Sequence, residues 1–426
     1  MLPRMSEKLV YLLQRTLRKT WLRCALFSAF GVLAVVLSTV LGPRIPQDVA
    51  LKLGSDSIDS LLNILASSML TVAIFSASTM VSSFSAVANS ATPRASQLLI
   101  EDTTIQNTLA AFIGAFLYSV IALVGLHAHV YGDGGRLVLF GFTLAILLFV
   151  VIVLLRWIDY LSVLGRLGET IRRVESATIK AMDQRLDKPF LGGRRQSEGE
   201  RGAVEVMAPV TGYVQHVSMD LLQARAEKND LSLHLHVLPG AFVEQGLPVV
   251  SCSAEIDDDT RKAIADAVLI ASSRTFDHDP RFGLVVMGEI AARSLSAAVN
   301  DPGTCTDVMV TAVKVLRHWS DGRGRRESER DVEVDFDRVS APLLREAGMI
   351  EDVFAPIARY GAPAVEIGVT LQRALRSLER LGGDIPEAAD RMSVYALQRA
   401  SHAGLSNVDM ELLRQSVSQK NRNISH

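Results

Sequence analysis

Residues 61–93 read LLNILASSMLTVAIFSASTMVSSFSAVANSATP. The segment carries no charged residue, and it exceeds the roughly 20 apolar residues that a bilayer core requires. Within it Ser68, Thr71, Ser78, Ser82, Ser85 and Asn89 recur at spacings of three, four and seven. On a helix such spacings fall along one stripe, here interrupted only by Phe75. A hydroxyl stripe on a membrane helix faces something other than lipid. Either it meets another helix, within one subunit or between subunits, where small residues allow close packing, or it lines a water-filled path. Both readings stand on the sequence.

Charge is distributed unevenly around this segment. Between Asp59 and Leu155 the only Lys, Arg, Asp or Glu residues are Asp59, Arg94, Glu101, Asp102, Asp133 and Arg136. Charges are dense from Arg156 onward, so the front third reads as membrane and the remainder as soluble. The net charge of -2 favours no class of partner. Cys24, Cys252 and Cys305 lie far apart, without a CxxC or Cys/His cluster, so neither a disulfide framework nor a zinc site is expected.

Four spans are expected, near 24–41, 61–88, 109–126 and 137–155. The first has a long basic front and no small-x-small cleavage site before Gly42-Pro43, so it reads as a retained anchor. Arg4, Lys8, Arg15, Arg18, Lys19 and Arg23 precede it, and Arg156, Arg166, Arg172, Arg173 and Lys180 follow the fourth. The outer loops hold only Arg44, Lys52 and Arg136. The positive-inside rule then places both termini, and the loop carrying Pro93 and Arg94, in the cytoplasm. The second helix is expected to end near Ala91, because Pro93 disfavours helix in the residue before it. The third and fourth spans read as ordinary lipid-facing helices, which leaves the second as the central one. No carboxylate or cation stands within a span, which argues against an ion-coupled transporter.

Leu161, Leu164, Leu167, Ile171 and Val174 continue a helical pattern beyond the fourth span as a juxtamembrane stalk. Residues 191–199 read as a linker. From Val204 to Cys252 the pattern is that of strands. LSLHLHVL puts Leu231, Leu233, Leu235 and Val237 on one face and His234 and His236 on a solvated one. The two histidines lack a third ligand, so no metal is expected. This stretch resembles the barrel-sandwich modules of biotinyl and lipoyl carriers. Lys228 in Ala-Glu-Lys-Asn lacks the setting of their modified lysine, so no cofactor is expected. Helices follow near 257–273, 282–299, 302–319, 341–360, 364–381, 386–403 and 407–419, with a charged loop at 322–330 and a strand at 332–336.

The sharpest local motif is the turn Asn300-Asp301-Pro302. Asn300 ends one helix, and Asp301 caps the next with Pro302 in its first position, where a missing N–H costs nothing. The alternative is that Asn300 and Asp301 bind a cation or a ligand amine. Asp277-His278-Asp279-Pro280 is a second polar turn, expected to lie near the first. No GxSxG, Walker A, GxGxxG, HExxH or paired-Cys motif occurs, so no enzyme is expected. Arg323, Arg325 and Arg326 form too short a basic run for nucleic acid, and Glu327 and Glu329 interrupt it.

Taken in order, the small-residue second span ending at Pro93-Arg94, Gly212-Tyr213-Val214-Gln215, the Phe282-Gly283 turn and Ser294–Cys305 resemble one bacterial family. It is catalogued as domain of unknown function 2254. The Asn-Asp-Pro core of that family's most specific pattern is present. Its preceding Pro is Ala297 here, its Phe is Gly303 and its final Ala is Cys305. The resemblance implies a multi-pass protein of the bacterial inner membrane, without an activity to carry over.

The expected fold is a membrane all-α four-helix domain (1–158), a juxtamembrane helix and linker (159–200), a small β-barrel or sandwich-like module (201–253) and a mainly helical region (254–426). The last two form a cytoplasmic α+β domain. The expected function is a homo-oligomeric, channel-like assembly in the lipid bilayer. Its second spans line a path for an ion or small solute, and the cytoplasmic part regulates it. The alternative is a membrane-anchored binding or signalling scaffold without transport.

Overall fold

The computed structural model describes residues 20–42, 56–100, 102–197, 199, 202–328 and 334–418. The basic residues from Arg4 to Lys19, the outer Arg44 and Lys52, and the beginning of the strand expected at 332 lie outside them. The described chain divides into two units: one of residues 20–89 and 96–166, the other of 90–95 and 167–418.

The first unit holds α1 (Thr20–Leu41), α2 (Asp56–Ser90), most of the short α3 (Pro93–Ile100), α4 (Thr103–His127) and α5 (Asp133–Val163). Four of these, α1, α2, α4 and α5, are long and apolar enough to cross a membrane. Large apolar side chains such as Phe30, Leu33 and Val36 on α1, and Leu148, Ile152 and Leu155 on α5, are exposed, as lipid-facing residues are. The most buried of the four is α4, through Ala111, Phe112, Ala115, Tyr118 and Ala122. The third span is therefore the centre of this unit, and the expectation that the second holds that place is corrected. Small residues explain the position. A Cβ on Gly31 of α1 would stand 2.9 Å from the Tyr118 Cβ, and one on Gly114 of α4 2.8 Å from the Phe27 Cβ, so bare backbone brings these two helices together. The Tyr118 hydroxyl pairs with Thr143 Oγ1 of α5 at 2.8 Å, which satisfies a polar atom inside the bundle. In contrast, α2 packs by longer side chains. Leu65, Met69 and Ala73 meet Ile105, Phe112 and Ala115 of α4 and Val150 and Trp157 of α5.

Pro93 acts as expected. The second span ends at Ser90, Pro93 opens α3, and Thr92 Oγ1 caps it by accepting the Ala95 N–H at 3.1 Å. The fourth span stops at Val163, where Gly165 takes φ +82. Beyond that break a separate helix begins, α6 (Leu167–Asp187). It is an integral part of the second unit and not a free stalk: Ile171, Val174, Ala181 and Met182 are buried.

The second unit then runs β1 (Gly193–Arg195), β2 (Val204–Met207), β3 (Gly212–Val217), α7 (Met219–Lys228), β4 (Leu233–Leu235), β5 (Phe242–Val243), β6 (Pro248–Cys252), α8 (Asp258–Ala267) and β7 (Val268–Ala271). After these come α9 (Phe282–Ser294), α10 (Pro302–Ser328), β8 (Phe336–Ala341), α11 (Ala347–Tyr360), α12 (Val365–Leu378), α13 (Ile385–Ser401) and α14 (Asn407–Ser418). The strands make two open sheets, ordered β1-β8-β4-β6-β2 and β5-β3-β7, and no closed barrel forms among the described residues. Leu233 pairs with Cys252 on one side and, in parallel, with Val339 on the other. Both sheets share one core, in which Val206, Leu233, Val250 and Val339 meet Val214, Val243 and Val268. Met219 and Leu222 of α7 and Ile264 of α8 close it.

Several expectations are corrected here. The sheets draw on β1, β7 and β8, from outside 201–253. Residues 193–195 pair with β8 and are not a linker. A helix, α7, interrupts the strand region. The charged segment 322–328 continues α10 and is not a loop, because nothing before Ser328 breaks its helical hydrogen bonding. Phe282 opens α9 as expected and is buried, but that helix stops at Ser294 and not at Val299.

Candidate functional site

The hydroxyl stripe lies on α2 opposite its packed face. Thr71, Ser78, Ser82, Ser85 and Asn89 are exposed in this chain, and Ser68 is half-buried at the margin. The buried side of α2 holds Leu62, Leu65, Met69, Ala73 and Ser76. Successive residues turn about 100° on an α-helix. By that rotation the buried set centres roughly 180° from Thr71, Ser78 and Ser85, and Ser67 joins the stripe in place of Ser68. Among the described residues no other helix of the chain covers this face. Some of its hydroxyls bond their own helix: Thr71 to the Ser67 carbonyl at 3.0 Å and Ser85 to the Val81 carbonyl at 3.0 Å. Ile64, Ile74, Phe75 and Val81 share the exposed side, so apolar rungs alternate with polar ones.

Beyond this helix, in the first turn of α3, Arg94 forms an ion pair with Glu289 of α9, both within the second unit. The Asn300-Asp301-Pro302 turn lies between α9 and α10. Asn300 is exposed and adopts φ +48, a left-handed conformation that asparagine tolerates, where the chain reverses. Asp301 caps α10. Its Oδ1 accepts the Thr304 N–H at 3.1 Å and its Oδ2 the Thr304 hydroxyl at 2.7 Å. These donors hold the Asp301 carboxyl below the usual carboxylate range. The carboxylate is thus occupied by its own helix.

The histidine pair is not on a solvated face, which corrects that expectation. The strand β4 lies inside the larger sheet, and His234 is buried with Nδ1 2.8 Å from Ser340 Oγ of β8. Among the described residues no three His, Cys, Asp or Glu side chains converge as a metal site. Cys252 and Cys305 are buried, and burial raises their thiols to about 11 and about 12, so both are core residues held as thiols.

The sequence reading named the segment 277–280 but not the cations gathered around it. Asp279 is buried, accepting from Arg274 Nε at 2.7 Å and from the Arg281 N–H at 3.1 Å. Burial raises its carboxyl above the usual range, against the pull of Arg274. Gly240, at φ +95, passes directly over it. A Cβ there would fall 2.3 Å from Asp279 Oδ2, so only glycine fits. Arg281 forks onto Asp352 of α11 with bonds of 2.7 and 2.9 Å. Arg185 of α6 is enclosed beside them, and the rings of His216 and His278 approach to 4.9 Å. A dense run of Arg and Asp near 274–281 was the available signal. Arg185 and Asp352 carried none, because 93 and 71 residues separate them from their partners. The Asn300-Asp301 turn, which the sequence placed near this segment, is not part of the cluster.

Two of the relatives that this chain resembles are uncharacterized proteins of Mycobacterium bovis and of Mycobacterium tuberculosis. Each is 28% identical over 237 residues, covering 52% of this chain and 43% of the relative. The matched region therefore spans less than half the length of these curated relatives. No solved structure matches. The family described as predicted membrane protein (DUF2254) matches residues 18–377, most of the chain, and the protein belongs to it.

Proposed function

We propose that the protein is a non-enzymatic homo-oligomer of the bacterial inner membrane, both termini cytoplasmic, in which α2 helices from several copies surround a path for an ion or small solute. The observation that carries this reading is the exposure of Thr71, Ser78, Ser82, Ser85 and Asn89 on the side of α2 that its own chain leaves uncovered among the described residues. The seven-residue recurrence of Thr71, Ser78 and Ser85 suits a left-handed crossing of neighbouring helices. Small side chains let such helices approach, and their hydroxyls replace water along the path. Ile74 and Phe75 supply an apolar rung, the kind of constriction that gates by losing water. The second unit acts as the regulatory part.

Reconstitution in a planar bilayer tests the pore. Discrete currents under symmetric salt that Ser78→Leu diminishes are the expected result. A silent bilayer from folded, inserted protein refutes it. Cysteine at Thr71 or Ser78 should cross-link neighbouring copies beyond the wild-type background, and cysteine at Ser76 should not.

A further inference from the structure

Arg185 is 4% exposed, in the last turn of α6. Its Nη2 reaches only the His278 carbonyl, at 3.5 Å, the outer limit of a hydrogen bond. Its Nη1 is buried with no partner. Asp279, the carboxylate whose charge acts on it, is already bonded by Arg274 Nε and the Arg281 N–H. The Arg281 guanidinium is committed to Asp352. The guanidiniums of Arg274 and Arg281 thus take up the buried Asp279 and the half-buried Asp352, and neither carboxylate bonds Arg185. Glu351 also acts on Arg281, but it is exposed and screened by water. Arg185 is thus a buried positive charge that no carboxylate bonds, an arrangement that is costly unless an anion joins it. Deprotonation offers no escape. Burial lowers the Arg185 guanidinium only to about 10, so it stays charged at neutral pH.

We propose that Arg185 anchors a binding site for a small oxyanion, phosphate or an ion of its size and charge, admitted beneath the 272–281 segment. That segment has no regular secondary structure, and Ser272 and Ser273 stand exposed at its edge. A planar guanidinium with one free nitrogen and one weakly used nitrogen presents the fork that binds two oxygens of such an ion. The enclosure of Arg185 favours a free ion over a phosphate carried on a lipid headgroup. This inference is independent of the pore, since binding is scored without any current.

The test is saturation of the purified full chain, in neutral detergent, with inorganic phosphate against sodium chloride at matched ionic strength. Radiolabelled phosphate and the Tm are the readouts. Saturable binding with a rise in Tm is expected, weakened about ten- to hundredfold by Arg185→Lys, which keeps the charge but loses the fork. Arg185→Met should abolish it; should that variant not fold, Arg185→Lys decides. Absence of saturable binding to folded wild-type protein, or equal binding by Arg185→Lys, overturns the proposal. A second arm uses phosphatidylcholine nanodiscs with and without phosphatidylglycerol. Stabilisation by the anionic lipid that requires Arg185, without binding of free phosphate, also overturns it and assigns the site to a headgroup.

Discussion

Ser76 and Ser78 stand two positions apart on α2 yet on opposite sides of it. Ser76 is 2% exposed in the packed face, and Ser78 lies open on the other. Two steps along an α-helix turn about 200°, which carries the same small hydroxyl from the core of the bundle to its outside.

Leucine at the two positions should therefore act differently. Ser76→Leu forces extra carbons against helices already in contact, and about 1–3 kcal/mol of stability should be lost. Ser78→Leu should leave the stability of the monomeric chain within about 0.5 kcal/mol of wild type while reducing assembly and flux. Thermal melts together with native electrophoresis distinguish the two.

Removal of the cap by Asp301→Ala should destabilise the second unit by about 1 kcal/mol at neutral pH. The Thr304 hydroxyl and N–H lower this carboxyl in the folded chain, so the unfolded chain binds its proton more readily. The contribution of the charge is then present above the unfolded carboxylate range, near about 3.9, and is lost as pH falls through the lower folded value. Wild type and Asp301→Ala should converge in stability toward that acid limit, as followed by denaturant titration at a series of pH values.

Within the larger sheet, His234 of β4 pairs across to Ser340 of β8. Ser340→Ala removes one partner of a buried imidazole and should cost about 1–3 kcal/mol. Ser340→Thr, which retains a hydroxyl, should recover part of that loss. Urea unfolding monitored by circular dichroism reads both.

Gly288 is where α9 meets the backbone of α11. A Cβ there would stand 2.6 Å from the carbonyl oxygen of Asp352. Backbone cannot yield as a flexible side chain does, so Gly288→Ala should push the helices apart at a cost of about 1–3 kcal/mol or more. The Arg281–Asp352 fork should loosen with it. A normal melting temperature for Gly288→Ala would count against this packing.

The four spans, the stop at Pro93, the Asp301 cap and most helices beyond 340 were legible because each depends on local sequence. Hydropathy over about 20 residues, a proline's missing N–H and a carboxylate three residues from a backbone donor act within a turn or two. The reading of His234 failed for the opposite reason. Alternation along LSLHLHVL shows two faces but not whether strands flank both edges, and β8 arrives from 106 residues away to cover His234. Likewise the linker at 193–195 became a strand only because β8 was there to pair with it.

By itself, then, the sequence determined which segments are apolar enough for a membrane, where the helices beyond 340 begin and end to within a few residues, and that a hydroxyl stripe runs along α2. These follow from propensity and periodicity, which are properties of neighbouring residues. Only the tertiary structure decided that this stripe faces away from its own bundle and that α4 is the bundle's centre. It alone brought Arg281 and Asp352 together beside the buried Arg185 and Asp279. The segments that carry these residues are fixed by packing between distant parts of the chain, and the unpartnered Arg185 nitrogen exists only where they meet.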